Sequence, residues 1–587
     1  MKPVLGIDLG TTNCVIARAV SEESGVELTP VEQLVNPGEV SAETVLPSFL
    51  FLPGPGDFPE GSTELPWDET PRYVVGTLAR KRGVENAGRL VASAKSWLCH
   101  AAVDRTSGLL PAASPEGVPR ISPVEASRAY LQHLKQAWDH AHPDEPLAGH
   151  QVLVTVPASF DAVARELTLK AAEQAGLGEI VLLEEPQAAF YAWLERHPDW
   201  RERVKPGDRI LVIDVGGGTT DFTMIAVKDE RGEMILERVA VGEHILLGGD
   251  NMDLALARTM ETKLPKLDAL QFQALWQQCR AAKETLLEAA GGAAEHPITI
   301  LGKGSSLIGG TIKAKISRAD VEHILLEGFF PEVASTDMPE RTRRSALQAM
   351  GLPYATDAGI TRHLARFLRS IEEGDSEGKL TAPTHVLFNG GVFRGGQLRE
   401  RVLRILNQWL AAEKLPAAEA LEGEDLMHAV ARGAAYFGAV RQSKGIRIRG
   451  GVPRTYYGGI EDAMPAVPFM KPPVKALTVV PFGMEEGSTH RFRDREFGLV
   501  IGEPAEFRFY VSTTRKHDEA GTMLDQVTAE LEELPAMQVS LPAESGQAGI
   551  VPATLESQVT ETGLLQLWCV ARDGRRWKLE FNLREKK

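Results

Sequence analysis

The sequence predicts an α/β protein of two similar lobes followed by a mostly β C-terminal third. Three observations predict it. Two stretches far apart share one grammar, an apolar strand, an aspartate, glycines, two threonines and a second apolar strand: "VLGIDLGTTNCVIARAV" from Val4 and "VIDVGGGTTDF" from Val212. Apolar strand-like runs alternate with helix-spaced segments up to about residue 443. Beyond residue 450 the alternation is of the strand kind, with turn residues between the segments.

Composition sets the bounds. At 587 residues the chain exceeds a single hydrophobic core and calls for three or four folding units. A formal net charge of −16 argues against a general nucleic-acid or membrane binder, because both attract basic surfaces. The four cysteines, Cys14, Cys99, Cys279 and Cys569, are scattered, which excludes a CxxC metal site and suits reduced thiols in a cytoplasmic protein. The chain passes from Met1-Lys2-Pro3 into an apolar strand without a signal-peptide pattern, and no apolar run approaches the roughly 20 residues of a membrane span.

Each element has a local reason. Glycine at a hairpin turn permits close backbone approach, and successive turn amides with threonine hydroxyls make a cradle for phosphate oxygens. Either hairpin alone is structurally ordinary; the pair implies duplicated lobes whose strand-end acids face each other across a cleft. "HQVLVTVPASF" reads as a strand ending at Pro157, and Asp161 to Ala175 has helical spacing with Gly176 as its stop. Ala255 to Leu264, Gln271 to Ala290 and Ala429 to Gln442 are further helices. "THVLFNGGVFRGGQLRERVLRIL" is a buried strand (His385 to Phe388), a turn at Asn389-Gly390-Gly391, and a helix whose N-terminus offers free amides. Arg394 there suits stacking on a base or pairing with phosphate.

"GIDLGTTN", "VTVPASFDAVARELTLKAAEQAGL", "LLEEPQAAFYAW", "VIDVGGGTTDFTMI", "LGGDNMD" and "NGGVFRGG" occur in the order found in the seventy-kilodalton heat-shock chaperones, the DnaK family. The chain resembles that family over most of residues 4–440. The resemblance implies a two-lobed, actin-like ATPase domain over residues 1–443 with a deep cleft for ATP or ADP and Mg²⁺. It implies a phosphate loop at Gly10, Thr11, Thr12 and Asn13, and a second at Gly216, Gly217, Gly218 and Thr219. Asp8 and Asp214 would face the metal mostly through water, as Mg²⁺ prefers. Lys95, Glu185, Asp214, Thr219 and Asp221 would take the catalytic positions, with a solvated helix lysine as the competing reading of Lys95. Glu184 reads as a plain strand-end acid. Gly248, Gly249, Lys283, Gly390, Gly391 and Arg394 would hold the rest of the nucleotide.

The departures are specific. In "CRAAKETLLEA" Arg280 stands where the family usually has glutamate and Leu287 where it has serine, which removes an acceptor and a hydroxyl from the ribose side. Cys14, beside the first turn, reads as a buried inert thiol in preference to a redox sensor. Residues 51–76 form an acidic, proline-rich insertion expected to be a surface loop. The segment 444–454 is a basic linker where the family's is apolar and acidic. Residues 455–587 are expected to form a β-sandwich-like substrate- or partner-binding domain. "YYGGIE" resembles its first strand, "AEFRFYV" is another strand, and "LLQLWCVARDGRRWKLEFNL" is a hairpin about Asp573-Gly574. No helical lid is expected after it.

Three functions fit. The first is an ATP-hydrolysing, chaperone-like protein whose nucleotide state controls binding of unfolded polypeptide, with a J-domain co-chaperone and a nucleotide-exchange factor as the family's helpers. The second is a nucleotide-gated protein docking one dedicated partner with little hydrolysis. The third is a small-molecule kinase of the same superfamily, disfavoured by the lack of a second-substrate site.

Overall fold

A computed structural model describes residues 2–21, 25–100, 103–112, 114–287, 294–301, 311–340, 352–371, 378–423, 425–443, 445–452, 454–461, 473–485, 487–500, 504–540, 550–560 and 565–581. The chain divides into two compact units. The first comprises Met1–His100, Arg105–Phe160 and Leu167–Ile448; the second comprises Ala101–Asp104, Asp161–Glu166 and Arg449–Lys587.

The first unit repeats one sheet plan. In one sheet Val4–Leu9 pairs antiparallel with Asn13–Ala19 and parallel with Gln151–Val156, and Ile180–Glu184 follows on the outside. In the other, Arg209–Val215 pairs antiparallel with Thr220–Glu230 and parallel with His385–Asn389. Each central strand is buried along nearly its whole length, as parallel pairing with helices on the faces requires. Each ends in a glycine-threonine turn that returns the chain as a hairpin. The helix Ala429–Ser443 packs on the first sheet, its Ala431, Ala435 and Ala439 lying against Val15, Ala17 and Ala19. Small residues on both faces let the backbones approach closely.

The expected helices form, with shifted ends. Ala162–Gln174 ends just before Gly176, and Ala269–Leu287 covers most of the Gln271 to Ala290 expectation, whose last residues lie outside the described ones. The helix placed at Ala255 to Leu264 instead runs Gly249–Glu261. Its start is earlier because the Asn251 carboxamide accepts the Gly248 amide at 3.0 Å, and Asp250 sits in the first turn, where a negative charge suits the helix dipole.

The 51–76 insertion is more anchored than a solvated loop. Leu50–Phe51 pairs antiparallel with Val74–Val75 at its base. Phe58 and Leu65 from within it pack on a core of Leu34, Phe49, Phe51, Val74 and Leu78. The apolar residues among its prolines and acids supply that anchor.

The start of the linker also differs from a purely basic segment. Ile446 and Ile448 pack against a core that includes Tyr191, Ile210 and Val212, and the Ile448 amide donates to the Tyr191 hydroxyl at 2.9 Å. Arg447 and Arg449, alternating with them, are exposed. Lys444 lies outside the described residues.

The second unit contains two antiparallel sheets, of six and four strands. "YYGGIE" lies within the strand Thr455–Glu461, and "AEFRFYV" within Pro504–Ser512, which pairs with it. The Asp573-Gly574 turn joins Leu565–Ala571 to Arg576–Lys578 as a hairpin. The expectation of no lid after residue 581 falls on residues outside the described ones. No described helix is long and apolar enough to cross a membrane.

Candidate functional site

The two glycine-threonine turns meet. A Cβ placed on Gly217 would stand 2.1 Å from Thr12 Oγ1, and one on Gly218 would stand 3.1 Å from Thr11 Oγ1. Only glycine permits that approach, so the turn of one sheet closes on the turn of the other. Gly390 adds a third edge. Its φ of 92° is the left-handed region, and a Cβ there would lie 2.2 Å from the Val215 carbonyl oxygen.

These turns border a cleft of about 390 Å³. Of the residues picked out in the sequence, Asp8, Gly10, Thr11, Thr12, Asn13, Glu185, Asp214, Gly216, Gly217, Thr219, Gly249, Lys283, Gly390, Gly391 and Arg394 line it. Lys95, Gly218, Asp221 and Gly248 do not. Lys95 is buried and ion-paired with Glu185, which removes the solvated-lysine reading. Asp221 sits directly across the hairpin from Asp214 and accepts the Ser159 amide at 3.1 Å. Gly248 lies against the carbonyl oxygens of Gly216 and Gly217.

The carboxylates of the site are electrostatically short of positive charge. Asp8 is pushed up to about 7, by burial first and then by Glu185, although Lys95 and a 3.1 Å hydrogen bond from Thr155 pull the other way. Asp214 is raised well above the usual carboxylate range by burial, Glu185 and Asp221, against a 3.0 Å hydrogen bond from Asn389 Nδ2. Asp221 is pushed up to about 6, again mainly by burial. Lys95 stays protonated because the nearby carboxylates more than offset the cost of its burial. One lysine against four carboxylates is a donor set that suits a hard cation. Among the described residues no group of three or more His, Cys, Asp or Glu stands close enough to ligate a metal directly. A magnesium ion here would therefore keep most of its own waters. The buried Asn389 Oδ1, beside Asp214 on the cleft wall, has no hydrogen-bond partner among the described residues and is a further oxygen suited to a water or cation.

On the wall expected to face the base, buried ion pairs form that the sequence reading did not anticipate. Arg280 is buried between Asp250, at 2.5 Å, and Asp253, at 2.9 Å. Lys283 pairs with Asp253 at 2.7 Å and donates to the Gly249 carbonyl at 3.0 Å. Two acids three apart on one helix thus meet two cations three apart on the next, a spacing that was available to be read. Arg80 and Glu284, both lining the cleft, form another pair missed. Leu287 lines the cleft as an apolar surface. Cys14 is buried, hydrogen-bonded with Ser48 at 3.2 Å, and pushed up to about 12 by burial, an inert thiol. Glu184 is more than a strand-end acid: it is buried in an ion pair with Arg238.

A family model described as "Hsp70 protein" matches residues 71–334. The curated "Chaperone protein HscA homolog" of Acinetobacter baylyi is 29% identical over 287 residues, which is 48% of this chain and 42% of that protein. The chain thus spans about two-fifths of the length of the curated relative it matches.

Proposed function

We propose that this chain, a divergent member of the Hsp70 family, is an ATP-binding and ATP-hydrolysing chaperone-like protein of the cytoplasm. In this reading the nucleotide state of residues 1–443 controls binding of unfolded polypeptide, or of a dedicated partner protein, by a β-domain over 455–587. The segment 444–454 is the link between them. The observation that carries the reading is the meeting of the Thr11-Thr12 and Gly217-Gly218 turns over a cleft rimmed by Asp8, Glu185 and Asp214.

Phosphoryl transfer to water asks a protein mainly for charge neutralisation and a positioned water. The amides of the two turns and the hydroxyls of Thr11 and Thr12 bind phosphate oxygens. Asp8 and Asp214 orient the waters of a hydrated Mg²⁺, which supplies neutralising charge to the phosphates when bound. Lys95, paired with Glu185 at the cleft wall, supplies the ammonium nearest the terminal phosphate. The Thr219 hydroxyl positions that phosphate or the water, and Asp221, held by the Ser159 amide across the hairpin from Asp214, takes the remaining catalytic position. Gly248, Gly249, Lys283, Gly390, Gly391 and Arg394 hold the nucleoside end. A J-domain protein and an exchange factor are the partners this reading brings with it.

Phosphate release from ATP by the full chain, with and without a saturating unfolded peptide, tests the proposal. Turnover that rises with peptide is the expected result. ATP binding with no turnover in either condition favours the dedicated-partner reading, and no ATP binding removes both.

A further inference from the structure

Arg280 touches the supports of both glycine-threonine turns. Its buried guanidinium lines the cleft and bridges Asp250 at 2.5 Å and Asp253 at 2.9 Å, three residues apart on the helix Gly249–Glu261. A planar fork that pairs with two acids on one face fixes how the start of that helix is rotated. That start holds the second turn. The Gly249 amide donates to the Gly216 carbonyl at 3.0 Å, and the Asp250 amide to the Gly217 carbonyl at 2.7 Å. N–H and C=O point opposite ways across a trans peptide, so these bonds turn the Gly217 and Gly218 amides away from the helix.

The same guanidinium lies over the Phe49 ring, 5.4 Å from its centroid, within cation–π range and in a buried setting. Phe49 follows Ser48, which holds the first turn. The Ser48 amide donates to the Thr12 carbonyl at 2.8 Å, and its hydroxyl to the Gly10 carbonyl at 2.7 Å. One side chain thus bears on the Ser48 clamp through Phe49 and on the Gly249-Asp250 clamp through Asp250. Neutralising the two acids would ask for less. Lys283 already pairs with Asp253 at 2.7 Å, and a simple ammonium beside Asp250 would complete the balance without reaching a ring.

We infer that Arg280 is a positioning residue that sets the spacing of the two glycine-threonine turns before any ligand binds. Its effect on phosphate binding rests on the nucleotide reading given above; the spacing itself does not.

Hydrogen exchange read by mass spectrometry on the nucleotide-free full chain, beside Arg280→Lys and Phe49→Leu, tests this. Thermal unfolding and calorimetric titration with Mg²⁺·ATP accompany it. Lysine keeps a charge beside the acids but, as a single point, does not bridge both and cover the ring. Leucine keeps an apolar side chain and removes the aromatic face. In Arg280→Lys, exchange should quicken about tenfold in peptides carrying Ser48 and in those carrying Gly249 and Asp250, and ATP affinity should fall about tenfold. In Phe49→Leu it should quicken at Ser48 and match wild type at Gly249 and Asp250. A merely structural arginine would raise exchange throughout the unit, lower the melting temperature and leave the ATP affinity of the folded protein unchanged. An arginine that only contacts bound nucleotide would weaken affinity without altering nucleotide-free exchange. Either pattern overturns the inference, as does quickening at one clamp alone in Arg280→Lys. Should Arg280→Lys fail to fold, unchanged exchange at Ser48 in Phe49→Leu overturns it. Wild type that binds no ATP removes the nucleotide reading, and exchange at the two clamps still decides the inference.

Discussion

Lys95 and Glu185 form a buried ion pair of which only Glu185 borders the cleft, their side chains being 6% and 15% exposed. Removing one partner of such a pair leaves an uncompensated charge in the interior. Lys95→Met should therefore lower the stability of the nucleotide-free protein by about 3–5 kcal/mol at pH 7. Adding Glu185→Gln should recover most of that loss, as a denaturant-based double-mutant cycle would read. A loss unaffected by the second substitution would show that the pair is not the cause.

Asp8 makes metal-dependent binding sensitive to pH. Its carboxyl is raised to about 7 in the folded, metal-free protein, chiefly by burial, from an ordinary 3.8. A carboxyl that faces hydrated Mg²⁺ must be ionised, so affinity for Mg²⁺·ATP should weaken below pH 7, approaching tenfold per pH unit. The same shift means that the folded chain holds a proton between about pH 4 and 7 that the unfolded chain does not. Asp8 thus stabilises the ligand-free protein as pH falls through that window. Asp8→Asn should flatten the affinity profile relative to wild type in titrations from pH 8 to 5.5. Parallel profiles would separate Asp8 from the metal.

His133 acts with the opposite sign. It is buried, contacts the Glu32 carbonyl at 2.9 Å, and has Trp67 against its ring edge at 5.5 Å. Burial pushes it down to about 4 from 6.5. Between those values the unfolded chain binds a proton that the folded chain refuses, so stability falls as pH drops from 6.5 toward 4, by up to about 1.4 kcal/mol per pH unit. His133→Gln, which keeps a donor for the carbonyl, should remove that component. Urea midpoints of the two proteins at pH 7 and pH 5 measure it; the same pH-dependence in both would contradict the assignment.

Thr219 separates binding from turnover. Its backbone carbonyl closes the second turn by accepting the Gly216 amide at 3.0 Å, and Thr219→Ala leaves that bond in place. The glycine amides proposed to grip phosphate remain. Turnover should fall about ten- to hundredfold while ATP affinity changes by less than about threefold. An equal loss in both quantities, or in neither, would count against that role.

The candidate site was legible where chemistry is local in sequence. A strand-end aspartate followed by glycines and threonines can form few structures other than a tight hairpin, and its repetition announced the second lobe. What escaped notice depends on partners distant in the chain. Arg280 looked like the loss of an acceptor, yet Asp250 and Asp253 neutralise it in place. The segment after Ser443 looked basic because arginines dominate its charge, while the isoleucines between them make the contacts. The insertion at 51–76 looked solvated because prolines and acids outnumber the apolar residues that pack, Phe58 and Leu65 among them. In the last two cases composition described the exposed side chains and the buried minority decided the structure.

In the proposed function the two glycine-threonine turns and their strand-end aspartates form one magnesium-dependent nucleotide site. Equilibrium binding of ATP to the full chain, with Mg²⁺ and with excess chelator, beside Asp214→Asn, tests it most directly. The substitution keeps the side chain's shape and removes a charge from the cation-facing wall. Saturable binding that strengthens with Mg²⁺ in wild type, and loses most of that strengthening in a normally folded Asp214→Asn, is the expected result. Folded wild-type protein that binds no ATP, or a variant with an undiminished Mg²⁺ effect, would contradict it.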